Sequence, residues 1–347
     1  MLVRVLARPL ARAALAALAA TAAVPAFAAG EVNLYTTREP GLIQPILDAY
    51  SEKSGVKVNA IFVKDGLAER VAAEGANSPA DILMTVDYGN LIDLVDKGLT
   101  QPVKSEALEA AIPAALRDPN GQWFALSMRA RVVYASKERL GDLKALTYEQ
   151  LADPKWKGRI CIRSGQHPYN TSLIAAVIDK DGAEGAKSWL AGLKANLARR
   201  PSGGDREGAR DIMSGLCDLA VGNSYYVGLM RSGKGGAEQK TWADSINVVL
   251  PTFKASGGTH VNVSGAGVAK NAPNKEEAVK LLEYLVSDDA QVLFAKANFE
   301  YPVKSGVAAD PIIADLGALK VDDHPLVEIA KNRKAAATLV DEVGFDN

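Results

Sequence analysis

The chain reads as an α/β protein of two lobes joined by extended crossings, an arrangement that leaves a hinged cleft between the lobes. Three observations predict it. Strand and helix patterns alternate along most of the sequence, as they do where helices pack on largely parallel sheets. Residues 123–135 form a long, nearly continuous extended run suited to crossing between lobes. A second alternating set follows, and the chain then returns through extended segments at 246–251 and 260–269.

In order, Glu31–Thr36 is a short strand, 42–51 has helical spacing, and 56–63 is a second strand followed by a helix over Leu67–Glu74. A third strand at 80–86 and a helix at 91–97 continue the alternation. Beyond the crossing come a strand at 159–162, helices at 171–179, 185–195 and 204–214, and a strand at 216–224. Amphipathic helices at 275–286 and 290–297 follow the return. The expected division is 29–128 plus 252–305 for the first lobe and 129–251 plus 306–347 for the second.

Residues 1–28 read as a secretory leader, with Arg4, Arg8 and Arg12 before an Ala/Leu-rich stretch and an A-x-A site at Ala26-Phe27-Ala28. Removing it from the 347-residue chain leaves 319 residues, enough for about two domains. No later segment approaches the roughly 20 apolar residues of a spanning helix. No cysteine follows the cleavage site to carry a lipid, and no twin arginine precedes it, so a general secretory route to a periplasm is expected. Lys and Arg number 40 against 41 Asp and Glu, a formal net charge of -1 that argues against a nucleic-acid binder.

The chemistry concentrates in tyrosines. Tyr225 and Tyr226 are adjacent, directly after an apolar run, and two neighbouring phenols can become two hard anionic oxygen ligands for a hard cation such as ferric iron. Tyr35, Tyr169 and this pair each fall at or just after the end of an expected strand, where open α/β sheets bind ligands. The two cysteines of an exported chain suggest one disulfide, Cys161 to Cys217, and free buried thiols are the alternative. Tyr169 lies eight residues past Cys161 and Tyr225 eight past Cys217, so a bridge in matched register would bring them to one end.

Several phrases resemble the periplasmic ferric-iron-binding proteins of bacterial ABC transporters, the bacterial transferrins. They are residues 32–38 (VNLYTTR), Ala80-Asp81-Ile82, 128–134 (MRARVVY), 151–158 (LADPKWKG), Tyr169-Asn170 and Gly222-Asn223-Ser224-Tyr225-Tyr226, the last being the most specific. The resemblance implies a type II periplasmic-binding fold closing on one Fe(III), with Tyr169, Tyr225 and Tyr226 as a phenolate triad. It makes Tyr35 the fourth tyrosine of members that use four. Some members place a histidine beside the first-lobe tyrosine, but Leu34 stands here, so water or a small anion such as carbonate is expected to complete the coordination. The implied partner is an inner-membrane ABC permease with its ATPase, served by a monomer.

Four phenolates around Fe(III) carry a net negative charge, which is costly to bury without a counter-charge. Arg38 and Arg129 are the expected counter-charges or anion seat, with Arg131 an alternative on the same face of the strand. The histidines 167, 260 and 324 have no metal-ligand spacing, although His167 is close enough to Tyr169 to stand behind it. The tract Gly228 to Gly235 reads G-x-x-x-x-G-K-G, a near match to a phosphate loop that lacks the hydroxyl residue after the lysine, and is read as a mobile glycine-rich turn. Neither a G-x-S-x-G elbow nor an H-E-x-x-H zinc motif occurs. A receptor for an organic or oxyanion solute clamped by the arginines is the alternative binding function, and an enzyme using tyrosine as acid or base is the alternative class.

Overall fold

The structure is a computed structural model that describes residues 30–347, so the expected leader lies outside it. Strands β1 (Glu31–Thr36), β2 (Lys57–Phe62) and β3 (Ile82–Thr85) run parallel, with β1 between the others. A short β4 (Thr100–Gln101) precedes β5 (Phe124–Ser136), and β6 (Ile160–Cys161), β7 (Leu219–Asn223), β8 (Ile246–Val249), β9 (Val261–Ala269) and β10 (Tyr301–Pro302) follow. They form one curled path, β2-β1-β3-β9-β5-β7-β6, with β4 on β9 and both β8 and β10 on β5.

The expected crossing is β5. Its residues up to Ala130 pair antiparallel with β9, whereas Arg131 onward pairs with β7 and β8, so one strand serves both halves of the molecule. All of its residues are buried, which accounts for its nearly continuous apolar run. β5 and β9 run antiparallel to their neighbours, so the sheet is mixed rather than largely parallel. The return is made by the segment between β8, on the second half, and β9, on the first.

Of the element boundaries that differ from the sequence reading, two matter to the site. The helices expected at 171–179 and 185–195 form one span, Pro168–Ala195, broken at Gly182 (φ 72, ψ 171). It starts early because Pro168 presets a helical φ at the first position and the His167 side chain accepts the Tyr169 backbone N–H. The strand expected at 216–224 ends at Asn223, and Ser224–Arg231 is helical. Tyr169, Tyr225 and Tyr226 therefore occupy first turns of helices. The start of the glycine-rich tract is likewise helix, not a turn.

Cys161 and Cys217 are bridged, with Cα atoms 5.9 Å apart. The strands are not in the register that equal spacing suggested: Cys161 pairs with Ala220, three residues past Cys217. The bridge still ties the segment before Tyr169 to the strand that leads into Tyr225. No helix among the described residues is long and apolar enough to cross a membrane.

Candidate metal centre

Three of the four expected tyrosines converge. The Tyr169 and Tyr225 hydroxyls lie 3.4 Å apart, and the Tyr225 and Tyr226 rings pack at 4.1 Å between centroids, tilted by 40°. Together they line a cavity of about 470 Å³ whose other walls include Thr37, Arg38 and Glu39 after β1, Arg129 on β5, Arg206, Phe299 and Glu300. Because these tyrosines sit in first turns, the positive ends of two helix dipoles lie near their rings, which favours anionic oxygen there.

Burial acts in the opposite sense. It pushes the Tyr225 phenol well above its ordinary range, the charges of Tyr169 and Tyr226 push it further, and Arg129 offsets only part of this. Burial also raises Tyr226, followed by Tyr169, while a hydrogen bond from Tyr225 lowers it. Tyr225 and Tyr226 therefore favour their protonated forms. Beside them, burial and then the Arg163 charge pull His167 down to about 4, so its neutral ring accepts from Tyr169 N at 3.2 Å and stands edge-on to the Tyr169 ring.

The three expected arginines have different surroundings. Arg129 is 2% exposed and donates through Nη1 to Ser264 at 2.7 Å, while its Nε and Nη2 find no partner among the described residues. Arg38 is committed to Glu300, with Nη2 at 2.9 and 3.1 Å from the two carboxylate oxygens. Arg131 does not line the cavity. It forms a buried pair with Asp205 at 2.5 Å and donates to Asn170 at 2.6 Å and Asn223 at 3.0 Å, the residues adjoining Tyr169 and Ser224. One guanidinium therefore holds both tyrosine-bearing helix starts.

Sequence reasoning missed Glu300, Asp205, Arg163 and Arg206. The Arg163 guanidinium carbon is 5.4 Å from the centre of the Tyr169 ring, and that of Arg206 is 5.6 Å from the centre of the Tyr226 ring. Only Arg163 carried a signal, its place between Cys161 and Tyr169.

Tyr35 is not brought to this site. Side chains alternate along β1, and while Leu34 joins the main core, the Tyr35 ring packs on the other face with Val63, Leu67, Val71 and Leu83. Its hydroxyl donates to Glu74 at 3.1 Å and accepts from Arg70 at 3.3 Å, and Glu74 is bonded in turn to Ser78, just before β3 begins. The phenol thus points towards the starts of the strands, away from the cavity at their ends. His260, buried and held near 4 by that burial, packs edge-on to Phe253, and His324 meets Asp179 at 3.1 Å. No group of three or more His, Cys, Asp or Glu is placed to hold a metal ion among the described residues.

A curled α/β sheet whose long strand serves two lobes, with a cavity lined by tyrosines and arginines at the strand ends between them, defines a two-lobed binding protein of the periplasmic type. The chain belongs to the family of bacterial extracellular solute-binding proteins, whose profile matches residues 77–316. Among its relatives, iron uptake protein A1 of Synechocystis is 42% identical over 316 residues, 91% of this chain and 87% of that one. The solved structure of a Bordetella ferric binding protein is 60% identical and covers 91% of this chain and 100% of its own, with a TM-score of 0.88. A Trichodesmium protein solved in complex with iron and citrate ligands is 43% identical with the same coverage, at a TM-score of 0.86.

Proposed function

We propose that this chain captures Fe(III) in the periplasm with the phenolates of Tyr169, Tyr225 and Tyr226 and delivers it to an inner-membrane ABC permease. The observation that carries the reading is the convergence of three phenols, on two helix starts, in one cavity beside a buried arginine with free N–H groups. Phenolate is a hard donor suited to ferric iron, and three of them neutralise its charge. Tyr35 has no part in this ligand set. The remaining coordination positions go to water or to a small anion such as carbonate, for which the unpartnered Nε and Nη2 of Arg129 are the seat. Arg38 serves differently, since Glu300 already neutralises it.

In this reading 29–128 with 252–305 forms the first lobe and 129–251 with 306–347 the second, so every protein ligand comes from the second lobe. The chain acts as a monomer exported by its leader, and its role is carriage rather than catalysis. The relatives named for iron support the choice of cargo. Adding a weak ferric chelate to the purified protein tests it: tyrosinate bound to Fe(III) gives a visible charge-transfer colour. A receptor that clamps an organic anion stays colourless with iron.

A further inference from the structure

Phe299 is the one non-glycine residue with a positive φ among the described residues, at 57°. An L side chain in this left-handed conformation is strained, so the surroundings must hold it there. It follows the helix Asp288–Asn298 and precedes β10, which pairs with Met128 and Ser127 in the first half of the sheet. Its ring nevertheless lies on the second half. A Cβ built at Gly228, in the helix that carries Tyr225 and Tyr226, would stand 2.3 Å from Phe299 Cγ, so only glycine admits the ring.

The rest of the glycine-rich tract completes the cradle. Lys234 Nζ sits 4.7 Å from the centre of the Phe299 ring and donates to the Lys296 carbonyl at 3.5 Å. The segment that nearly matches a phosphate loop thus receives an aromatic ring from the other lobe. The next residue, Glu300, holds Arg38 at 2.9 Å and approaches Arg129 at 3.6 Å. Two successive residues therefore join the tyrosine helix to the arginine pair across the cavity.

We propose that Phe299 is a positioning residue that couples the two lobes over the tyrosines and so sets how fast bound cargo escapes, without being a ligand. The proposal rests on the functional reading above for the identity of the cargo. The contact itself involves protein groups alone, and its test has an iron-free arm.

The experiment compares the wild type with Phe299→Ala, Phe299→Gly and Gly228→Ala, and with the double variant Phe299→Ala, Gly228→Ala. In small-angle scattering without iron, both Phe299 variants should have a larger radius of gyration than the wild type. With iron loaded, release to an external chelator should speed up about tenfold in each single variant, while the position of the visible band stays unchanged. The double variant should release no faster than Phe299→Ala alone, because the added methyl has no ring left to displace. Phe299→Gly relieves the backbone strain, so an effect shared by Gly and Ala is due to the ring and not to misfolding. Unchanged scattering and release in both Phe299 variants, or additive effects in the double variant, would overturn the proposal. A colourless wild type whose scattering still shifts with Phe299→Ala would retire the iron reading and leave the coupling standing.

Discussion

Tyr169 and Tyr225, 56 residues apart in sequence, hold their hydroxyls 3.4 Å from each other. Two protonated phenols can share a hydrogen bond at that distance, but two phenolates would repel unless a cation lay between them. Changing Tyr225 or Tyr226 to Phe removes one hard oxygen with little change in volume. Each change should weaken ferric binding severely in competition with a chelator and leave the thermal midpoint of the apo protein nearly unchanged.

Tyr35→Phe should behave in the opposite way. It removes a hydrogen bond to Glu74 outside the cavity, so iron colour and affinity should match the wild type while stability falls by about 1 kcal/mol in denaturant titration. A marked loss of iron affinity would restore Tyr35 to the ligand set.

The contrast between these tyrosines marks what the sequence makes legible. Adjacency made Tyr225 and Tyr226 conspicuous, and the compartment made the Cys161–Cys217 bridge readable. The alternation along β1 was visible too, but which face would meet the cavity depends on where Leu67–Glu74 packs, and no local pattern states that. The helical first turn at Tyr225 was hidden because the preceding apolar run read on as strand, and that at Tyr169 because the polar stretch 163–168 hid a helix start that the spacing placed only at 171. Glu300, far along the chain from Arg38, leaves no local trace of its pairing.

Acid should release the metal. Burial holds the Tyr225 and Tyr226 phenols protonated, with pKa values raised above that of a free tyrosine, so iron must displace those protons to bind. The sign follows: lowering pH favours the protonated apo site and weakens apparent affinity, and raising pH strengthens it. Titrating ferric chelate into lightly buffered protein should release more than one proton per iron after correction for the chelate. Flat affinity between neutral and mildly acidic pH would exclude phenolate ligation.

Arg131 is expected to matter through position. Replacing it with Met leaves Asp205 buried beside only Arg163, whose Nη1 is 3.5 Å away, and breaking a buried pair costs about 3 kcal/mol or more. Denaturant unfolding should report that loss, and iron affinity should fall because Asn170 and Asn223 lose their shared anchor. Arg131→Lys, which keeps the charge but not the fork, should recover stability better than affinity.

Removing both cysteines as Cys161→Ala, Cys217→Ala should lower stability by about 4 kcal/mol in the chain-entropy account of a loop of this length. Iron colour below the unfolding transition should persist, since the bridge lies beneath the site and supplies no ligand.

The central claim is that Tyr169, Tyr225 and Tyr226 bind Fe(III) as phenolates, and resonance Raman spectroscopy of the iron-loaded protein, excited within its visible band, tests it most directly. The account predicts enhanced tyrosinate ring vibrations that are lost in the Tyr169→Phe, Tyr225→Phe, Tyr226→Phe variant and retained in Tyr35→Phe. Iron bound tightly with no enhanced tyrosinate modes, or with modes that survive the triple replacement, would contradict it.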